Sequence, residues 1–277
     1  MEKIQEAIAK ARAMRDSAEP VAAPRPAPVV EAPAPDPDQA VAEAWVLLKP
    51  YVANPAQLKK SRVVTMTGGP DASPFDVMRT KVIQTMRANN WKRLAITSPS
   101  PGCGKSTVTL NLAFSLARQP DIRTIVAELD LRRPSLAQLL AANPGRSFAE
   151  VLEGKAEFAD QALRHGQNLA FGLNGAAVRN PAELLHGAGV ADRLAEIETR
   201  YAPDLTIFDM PPMLVSDDMM AFAGQVDCVL LIAAAEKTTI KEIDTCEREL
   251  ASQTNVMGVV LNKCRYMGED YGYSYYG

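Results

Sequence analysis

The sequence predicts an α/β fold in which a mostly parallel β-sheet is covered by helices on both faces. Short apolar runs alternate along the chain with segments that carry apolar residues at helical spacing. These runs lack the polar and apolar alternation of a strand with one exposed face, so both faces of the sheet are expected to be buried. Several runs end in acidic residues, and ligands bind at the carboxyl ends of strands in such sheets.

The composition of the chain excludes several classes of protein. With 277 residues, 47% of them hydrophobic, the chain is long enough for a substantial core. A net charge of −3 argues against nucleic acid as a partner, because nucleic-acid binding would require a basic excess. No apolar run approaches the length of a membrane span, and the N-terminus lacks the apolar core of a secretion signal. A cytoplasmic location is therefore expected.

The cysteines and histidines suggest neither disulfides nor a metal site. The cysteines stand singly, without Cys-x-x-Cys spacing, and are predicted to be reduced thiols that mostly serve as packing residues. The two histidines lie far apart in the sequence. The residues concerned are Cys103, Cys228, Cys246, Cys264, His165 and His186.

Four regions are predicted along the chain. Residues 1–16 place Ile4 and Ile8 on one face of a short helix, which either docks on a partner or remains solvated. Residues 17–38 are rich in Pro and Ala and are predicted to form an extended linker. Residues 39–265 form the globular domain, and residues 266–277 form a tyrosine-rich tail.

Within the domain, apolar runs and helical spacing predict each element in turn. The first strand precedes a Gly-Gly-Pro turn, and the helix at 75–88 has Phe75, Val82 and Met86 on its apolar side. Strands are predicted at 62–66, 92–97, 124–127, 205–208, 226–233 and 256–261. Helices are predicted at 40–48, 75–88, 108–117, 135–140, 148–152, 181–197 and 239–250.

A glycine loop at 98–107 joins the strand at 92–97 to the helix at 108–117. Its sequence is Ser-Pro-Ser-Pro-Gly-Cys-Gly-Lys-Ser-Thr, and strand, loop and helix are the context that a phosphate-binding loop requires. Gly102 and Gly104 are able to take the positive φ angles that turn successive N–H groups inward. The helix directs its positive end at the same point. This pattern indicates a P-loop NTPase.

The polar residues of the loop have predictable roles. Lys105 is expected to reach the β- and γ-phosphates, Ser106 to place its hydroxyl on Mg²⁺, and Thr107 to lie near the α-phosphate. The alternative is a glycine-rich turn that binds nothing, but this sequence has few structural reasons to exist without a phosphate. The predicted nucleotide-binding residues are Pro101, Gly102, Cys103, Gly104, Lys105, Ser106, Thr107 and Asn262.

Acidic residues follow two other predicted strands. Glu128, Asp130 and Asp209 are candidate ligands for Mg²⁺, which needs only one or two carboxylates when it is bound to a nucleotide. Asp209 in particular has the form of the second acidic motif of P-loop enzymes. A lone Asp at a strand end also serves as a helix cap or turn former, and for Asp217 this alternative and a phosphate-sensing role both stay open.

The end of the last strand, Asn262-Lys263, suggests a contact with the nucleotide base. Guanine-specific sites place an Asp two residues after the Lys, where this chain has Arg265. Adenine, and therefore ATP, is favoured.

Together, these motifs resemble the bacterial tyrosine kinases of capsule and exopolysaccharide systems, a family of P-loop proteins, over most of residues 62–277. The loop at 98–107 is similar to theirs, as are the motifs Glu128–Pro134 and Phe208–Pro212. The resemblance implies an ATP-dependent protein tyrosine autokinase that regulates the biosynthesis or export of exopolysaccharide or capsule. It also implies catalytic roles for Lys105, Glu128, Asp130 and Asp209, with Mg²⁺ held by Ser106, Glu128, Asp130 and Asp209.

The tail carries five of the seven tyrosines in the chain, among Gly and Ser. The resemblance implies that they are autophosphorylation sites, each phosphate adding about −1.5 to −2 charges. An aromatic tail packed on the domain is the alternative. The predicted phosphoacceptors are Tyr266, Tyr271, Tyr273, Tyr275 and Tyr276.

The resemblance further implies a membrane-embedded chain-length or co-polymerase partner, which would bring the chain to the inner membrane. Two departures bear on activity and assembly. The family has Asp at the position of Glu128, and of its Glu-x-x-Arg-x-x-Arg oligomerisation pattern only Arg79 is matched, after Ser73 and Asp76. A homo-oligomer is therefore less strongly implied.

Two other functions stay open. One is a partition-type ATPase that is switched by its nucleotide, although the extra lysine of those proteins is replaced here by Ser100. The other is a degenerate kinase that acts as an ATP-binding scaffold, as Glu128 suggests.

Overall fold

The computed structural model describes residues 2–16 and 36–265, which belong to two separate compact units. The first unit contains helix α1 (Glu2–Asp16), so the helix predicted within residues 1–16 is present. The second unit begins at Asp36 and contains the sheet. No helix in these two ranges is long and apolar enough to span a membrane.

The second unit alternates strands and helices, as predicted. Its strands are β1 (Lys49–Pro50), β2 (Arg93–Thr97), β3 (Thr124–Glu128), β4 (Leu163–His165), β5 (Leu169–Gly172), β6 (Leu205–Asp209), β7 (Cys228–Ala234) and β8 (Asn255–Asn262). Its α-helices are α2 (Pro37–Leu47), α3 (Pro55–Lys60), α4 (Ser73–Ala88), α5 (Lys105–Ala117), α6 (Leu136–Leu140), α7 (Phe148–Leu152), α8 (Phe158–Gln161), α9 (Pro181–Leu185), α10 (Gly189–Tyr201), α11 (Asp218–Phe222) and α12 (Ile240–Ala251).

The eight strands form one sheet in the order β1-β4-β5-β3-β6-β2-β7-β8. All neighbouring pairs are parallel except β4 and β5, which confirms the mostly parallel sheet. Asp209 pairs with Ile96 on one side and with Glu128 on the other. The register therefore brings the carboxyl ends of β2, β3 and β6 together.

Apolar side chains fill the space on both faces of the sheet. Along β2, Leu94 and Ile96 belong to one buried cluster and Ala95 belongs to the other. Helices α3 to α6 contribute to the cluster that contains Leu94, whereas α2 and α10 to α12 contribute to the cluster that contains Ala95. Successive residues of a strand point to opposite faces, so strands β2, β3, β6 and β7 are buried almost throughout, as the sequence indicated.

The prediction of a strand at 62–66 is wrong, because this segment lies along α5 without joining the sheet. The N–H of Val64 donates to Oδ1 of Asn111 at 2.8 Å, and the hydroxyl of Thr65 donates to the carbonyl of the same residue at 2.7 Å. Arg118 donates to the carbonyl of Thr65 at 3.3 Å. Asn111 of α5 and Arg118, which follows this helix, thus form hydrogen bonds with backbone groups that would pair with a neighbouring strand in a sheet.

The single helix predicted at 181–197 is also wrong, because it is divided into α9 and α10. The N–H of Gly187 donates to the carbonyl of Leu184 at 3.0 Å and closes the first helix. A Cβ at Gly187 would lie 2.9 Å from that same oxygen, so the tight turn requires glycine.

The sequence does not predict the short strands β1, β4 and β5, which have only two to four residues each. Such strands are too short to show a hydrophobic period. In addition, α2 begins at Pro37, where the carboxylate of Asp36 accepts the N–H of Asp38 at 3.1 Å. This helix therefore begins within the stretch at 17–38 that was predicted as linker.

Candidate functional site

The predicted loop lies between the central strand β2 and helix α5. Gly102 has φ 80° and Gly104 has φ 96°, the left-handed region that glycine was predicted to supply here. A Cβ at Gly104 would overlap Nδ2 of Asn262 and would displace that side-chain amide. The hydroxyl of Thr97 donates to the carbonyl of Pro211 at 2.7 Å and ties the start of the loop to the segment after β6.

Lys105 begins α5 and is buried. Its Nζ lies 2.7 Å from Oδ2 of Asp130, which is also buried. Burial favours the neutral amine, but the surrounding carboxylates, chiefly Asp209 and Asp130, outweigh burial and raise the pKa of Lys105. The ammonium is therefore charged and directed into the site, where it is able to contact phosphate oxygens.

Asp209 ends β6 and is completely buried. Its two oxygens accept the hydroxyls of Ser106 at 2.8 Å and Thr109 at 3.2 Å. Burial raises the pKa of Asp209 despite these hydrogen bonds and the nearby Lys105. A serine hydroxyl paired with a strand-end carboxylate is an oxygen donor set that fits Mg²⁺ on a nucleotide, so these residues suit the ion predicted from the sequence.

Glu128 is buried at the end of β3, but its carboxylate is occupied by backbone groups. One oxygen accepts the N–H groups of Ser135 at 2.6 Å and Leu136 at 2.7 Å, and the other accepts the N–H of Asn174 at 2.9 Å. Glu128 therefore anchors the start of α6 and the segment after β5. The structure brings it beside the predicted site, where it holds neighbouring backbone in place.

A cavity of about 360 Å³ lies beside the loop, and Lys105 and Asp130 are part of its wall. The cavity wall also contains Arg132, which the sequence does not single out as a site residue. Its guanidinium donates to both oxygens of the buried Asp218, at 2.7 and 2.9 Å. Asp217 is exposed and lies 3.8 Å from the same guanidinium, which leaves its phosphate-sensing role a prediction. Further residues lining the cavity are Pro101, Gly102, Arg132, Arg133, Ser135 and Ser216.

The other predicted residues have different positions. Asn262 lies at the end of β8, where its side-chain amide donates to the carbonyl of Cys103 at 2.9 Å, so it contacts the loop itself.

Within residues 2–16 and 36–265, no three His, Cys, Asp or Glu side chains form a metal cluster. His165 packs against Phe114, with ring centroids 5.1 Å apart. All four cysteines are free, and Cys264 is exposed. The five tail tyrosines lie outside the described residues.

The buried carboxylate of Glu128 predicts a dependence of stability on pH. Burial raises its pKa from 4.5 to about 7, although the backbone N–H groups oppose this shift. The folded protein therefore binds more protons than the unfolded chain between these values, and the free energy of unfolding falls as the pH rises through that range. The expected contribution is about 1 kcal/mol per pH unit.

Chemical denaturation of the wild type and the Glu128→Gln variant at pH 5, 6 and 7 measures this contribution. Asp209 is present in both proteins, so the difference between the two slopes reports on Glu128. Parallel slopes would contradict the raised pKa.

Comparison with known families agrees with this geometry. The CbiA profile, described as the CobQ/CobB/MinD/ParA nucleotide binding domain, matches residues 94–270, which include the loop, both acidic motifs and β8. The chain belongs to this family. The P-loop NTPase fold predicted from the glycine loop is thereby confirmed.

Relatives of the chain carry tyrosine kinase names. The tyrosine-protein kinase wzc of Salmonella typhimurium is 32% identical over 196 residues, which cover 69% of this chain and 27% of that protein. The tyrosine-protein kinase YwqD of Bacillus subtilis is 28% identical over 210 residues, which cover 75% of this chain and 86% of that protein. The chain spans about a quarter of the length of wzc and of other relatives it matches.

Among solved structures, the kinase domain of the Escherichia coli tyrosine kinase ETK is similar, with a TM-score of 0.64 and 28% identity. The match covers 73% of this chain and 80% of that one. The resemblance to bacterial tyrosine kinases that the motifs indicated is thus confirmed.

Proposed function

We propose that this chain is an ATP-dependent protein tyrosine autokinase that phosphorylates its own C-terminal tyrosine cluster and regulates exopolysaccharide or capsule production. The observation that carries the proposal is the convergence of Lys105, Ser106, Asp130 and Asp209 at the carboxyl ends of three adjacent strands. The kinase names of its relatives support the same reaction.

Phosphoryl transfer requires mainly positioning and neutralisation of charge, which these residues are suited to supply. Lys105 would bind the β- and γ-phosphates of ATP and Thr107 would lie near the α-phosphate. Ser106 and Asp209 would hold Mg²⁺, which neutralises phosphate charge when it is bound. Transfer forms a bond between a tyrosine oxygen and the γ-phosphorus, breaks the bond to the β-phosphate oxygen, and releases ADP.

The tyrosine hydroxyl loses a proton in this reaction, and we assign Asp130 to accept it. Asp130 lines the cavity, whereas all three hydrogen bonds of the Glu128 carboxylate go to backbone N–H groups. A phosphate that draws Lys105 away from Asp130 would free the carboxylate for this role. Glu128 then acts by holding α6 beside the site, which also accounts for a glutamate at a position where the family has aspartate.

The proposal extends to assembly. A membrane-embedded chain-length or co-polymerase protein would bind α1 through its apolar face. The chain would then act in the cytoplasm at the inner membrane. Two residues of the weakened oligomerisation pattern are engaged within the domain, since Arg118 and Arg79 both contact Asp76, at 2.7 and 3.3 Å. Any homo-oligomer would therefore need other contacts.

Mass spectrometry of the tail after incubation with ATP·Mg²⁺ tests the kinase reaction. We expect phosphate on tyrosines within residues 266–277, and no phosphotyrosine when all five are replaced by phenylalanine. The five-phenylalanine variant should still bind ATP, because the substitutions leave the loop intact.

The other functions give different results in the same experiment. Steady release of phosphate without labelled tyrosine would favour a partition-type ATPase. ATP binding with neither labelling nor hydrolysis would favour a scaffold. Either result would refute the proposed kinase.

A further inference from the structure

Three consecutive carbonyl groups of the phosphate loop are each held by a different side chain. Nζ of Lys237 donates to the carbonyl of Pro101 at 2.9 Å, and Nζ of Lys263 donates to the carbonyl of Gly102 at 2.6 Å. Nδ2 of Asn262 donates to the carbonyl of Cys103 at 2.9 Å. The three donors come from the turn after β7 and from the end of β8, far from the loop in sequence.

The orientation of these carbonyls determines the orientation of the next three N–H groups. In a trans peptide the C=O and the following N–H point in opposite directions. Carbonyls that face Lys237, Lys263 and Asn262 therefore turn the N–H groups of residues 102, 103 and 104 to the opposite side of the loop. Successive N–H groups on one side form the concave arrangement that binds phosphate.

The segments that carry the donors are themselves fixed in place. The N–H of Ala235 donates to the carbonyl of Asn262 at 2.8 Å and joins the two segments. The hydroxyl of Thr238 accepts the N–H of Ala234 at 2.9 Å and lies 3.6 Å from Sγ of Cys103 in the loop. Glu236 and Lys263 both have φ 62°, a conformation that non-glycine residues adopt only where surrounding contacts maintain it.

We infer that Lys237 and Lys263, together with Asn262, act as positioning residues that hold the phosphate loop in its nucleotide-binding conformation. This inference rests on the proposed binding of ATP and deepens it, because it assigns to Asn262 and Lys263 a role on the loop backbone where the sequence suggested a base contact. The two ammonium groups also add positive charge beside the phosphate site.

Equilibrium binding of a fluorescent ADP analogue tests the inference. Lys237→Met and Lys263→Met should each weaken binding about tenfold, the expected effect of losing one charge-assisted hydrogen bond that orients the site. Lys263→Arg keeps a charged donor and should restore most of the affinity. The KM for ATP should rise with the dissociation constant, whereas kcat should change much less.

Lys241→Met is a matched control, because Lys241 is exposed in the first turn of α12 and the substitution removes the same charge from the same region. It should leave the affinity unchanged. The melting temperature of the nucleotide-free protein should be the same in all variants, since Lys237 and Lys263 are exposed. Saturating ADP should raise the melting temperature of the wild type, and this rise should be smaller only in Lys237→Met and Lys263→Met.

The outcomes separate this inference from the proposed function. If the wild type, Lys237→Met and Lys263→Met all bind the analogue equally well, the positioning role is overturned while nucleotide binding stands. If Lys241→Met weakens binding as much as Lys263→Met, the loss of one positive charge from this region explains the effect. The positioning role is again overturned. If the wild type itself does not bind, the proposed function and the inference fail together.

Discussion

Replacing Lys105 by methionine is expected to abolish tyrosine phosphorylation and to weaken ATP binding about a hundredfold or more. The buried ammonium is the cation that the site directs at the phosphates, and loss of one such contact in a site of low dielectric costs roughly two to three orders of magnitude in rate. Phosphotyrosine detection and ATP titration measure the two effects.

The same substitution leaves Asp130 buried without its ion pair, which is destabilising by about 3–5 kcal/mol. The double variant Lys105→Met/Asp130→Asn removes the uncompensated charge and should recover stability without recovering ATP binding. Lys59→Met, at an exposed position in α3, is the control for loss of one positive charge. ATP binding of wild-type strength in the double variant would contradict the role of Lys105.

Asp209→Asn is expected to remove the dependence of nucleotide binding on Mg²⁺. The buried carboxylate accepts the hydroxyl of Ser106, and an amide of the same shape cannot supply the negative charge that Mg²⁺ requires. The ratio of ADP affinities with Mg²⁺ and with a chelator should fall to about one, and phosphorylation should fall about a hundredfold or more.

Folding should tolerate this substitution, because burial already disfavours the charged form of Asp209 and raises its pKa. Asp244→Asn, at an exposed position on α12, should retain both the Mg²⁺ dependence and the activity. A variant at Asp209 that still binds ADP more tightly with Mg²⁺ would exclude this residue from the metal site.

Local sequence was sufficient to predict the fold class and the position of the glycine loop between a strand and a helix. The glycine loop, the apolar runs and the acidic strand ends each occupy a few consecutive residues, so their periodicity and spacing show directly in the sequence. The parallel sheet with both faces covered and the loop between β2 and α5 follow from them.

The features that local sequence did not predict depend on contacts between segments that are distant in the sequence. The strand predicted at 62–66 failed because Asn111 on α5 provides the hydrogen-bond partners for this segment. The expected contact of Glu128 with metal and substrate stays a prediction, whereas the tertiary structure shows that its carboxylate accepts the backbone N–H groups of Ser135, Leu136 and Asn174. Burial and neighbouring donors, which depend on the packed fold, determine what such a carboxylate does.

The sequence by itself therefore predicted a nucleotide-binding domain, since that chemistry resides in a contiguous motif after a strand. Only the tertiary structure decided which distant residues hold the motif in place. Ser106 and Asp209 are 103 positions apart, and Cys103 and Asn262 are 159 apart, yet each pair is joined by a hydrogen bond. Hydrogen bonds act over about 3 Å, so only the packing of β2, β6 and β8 into one sheet brings these partners within reach.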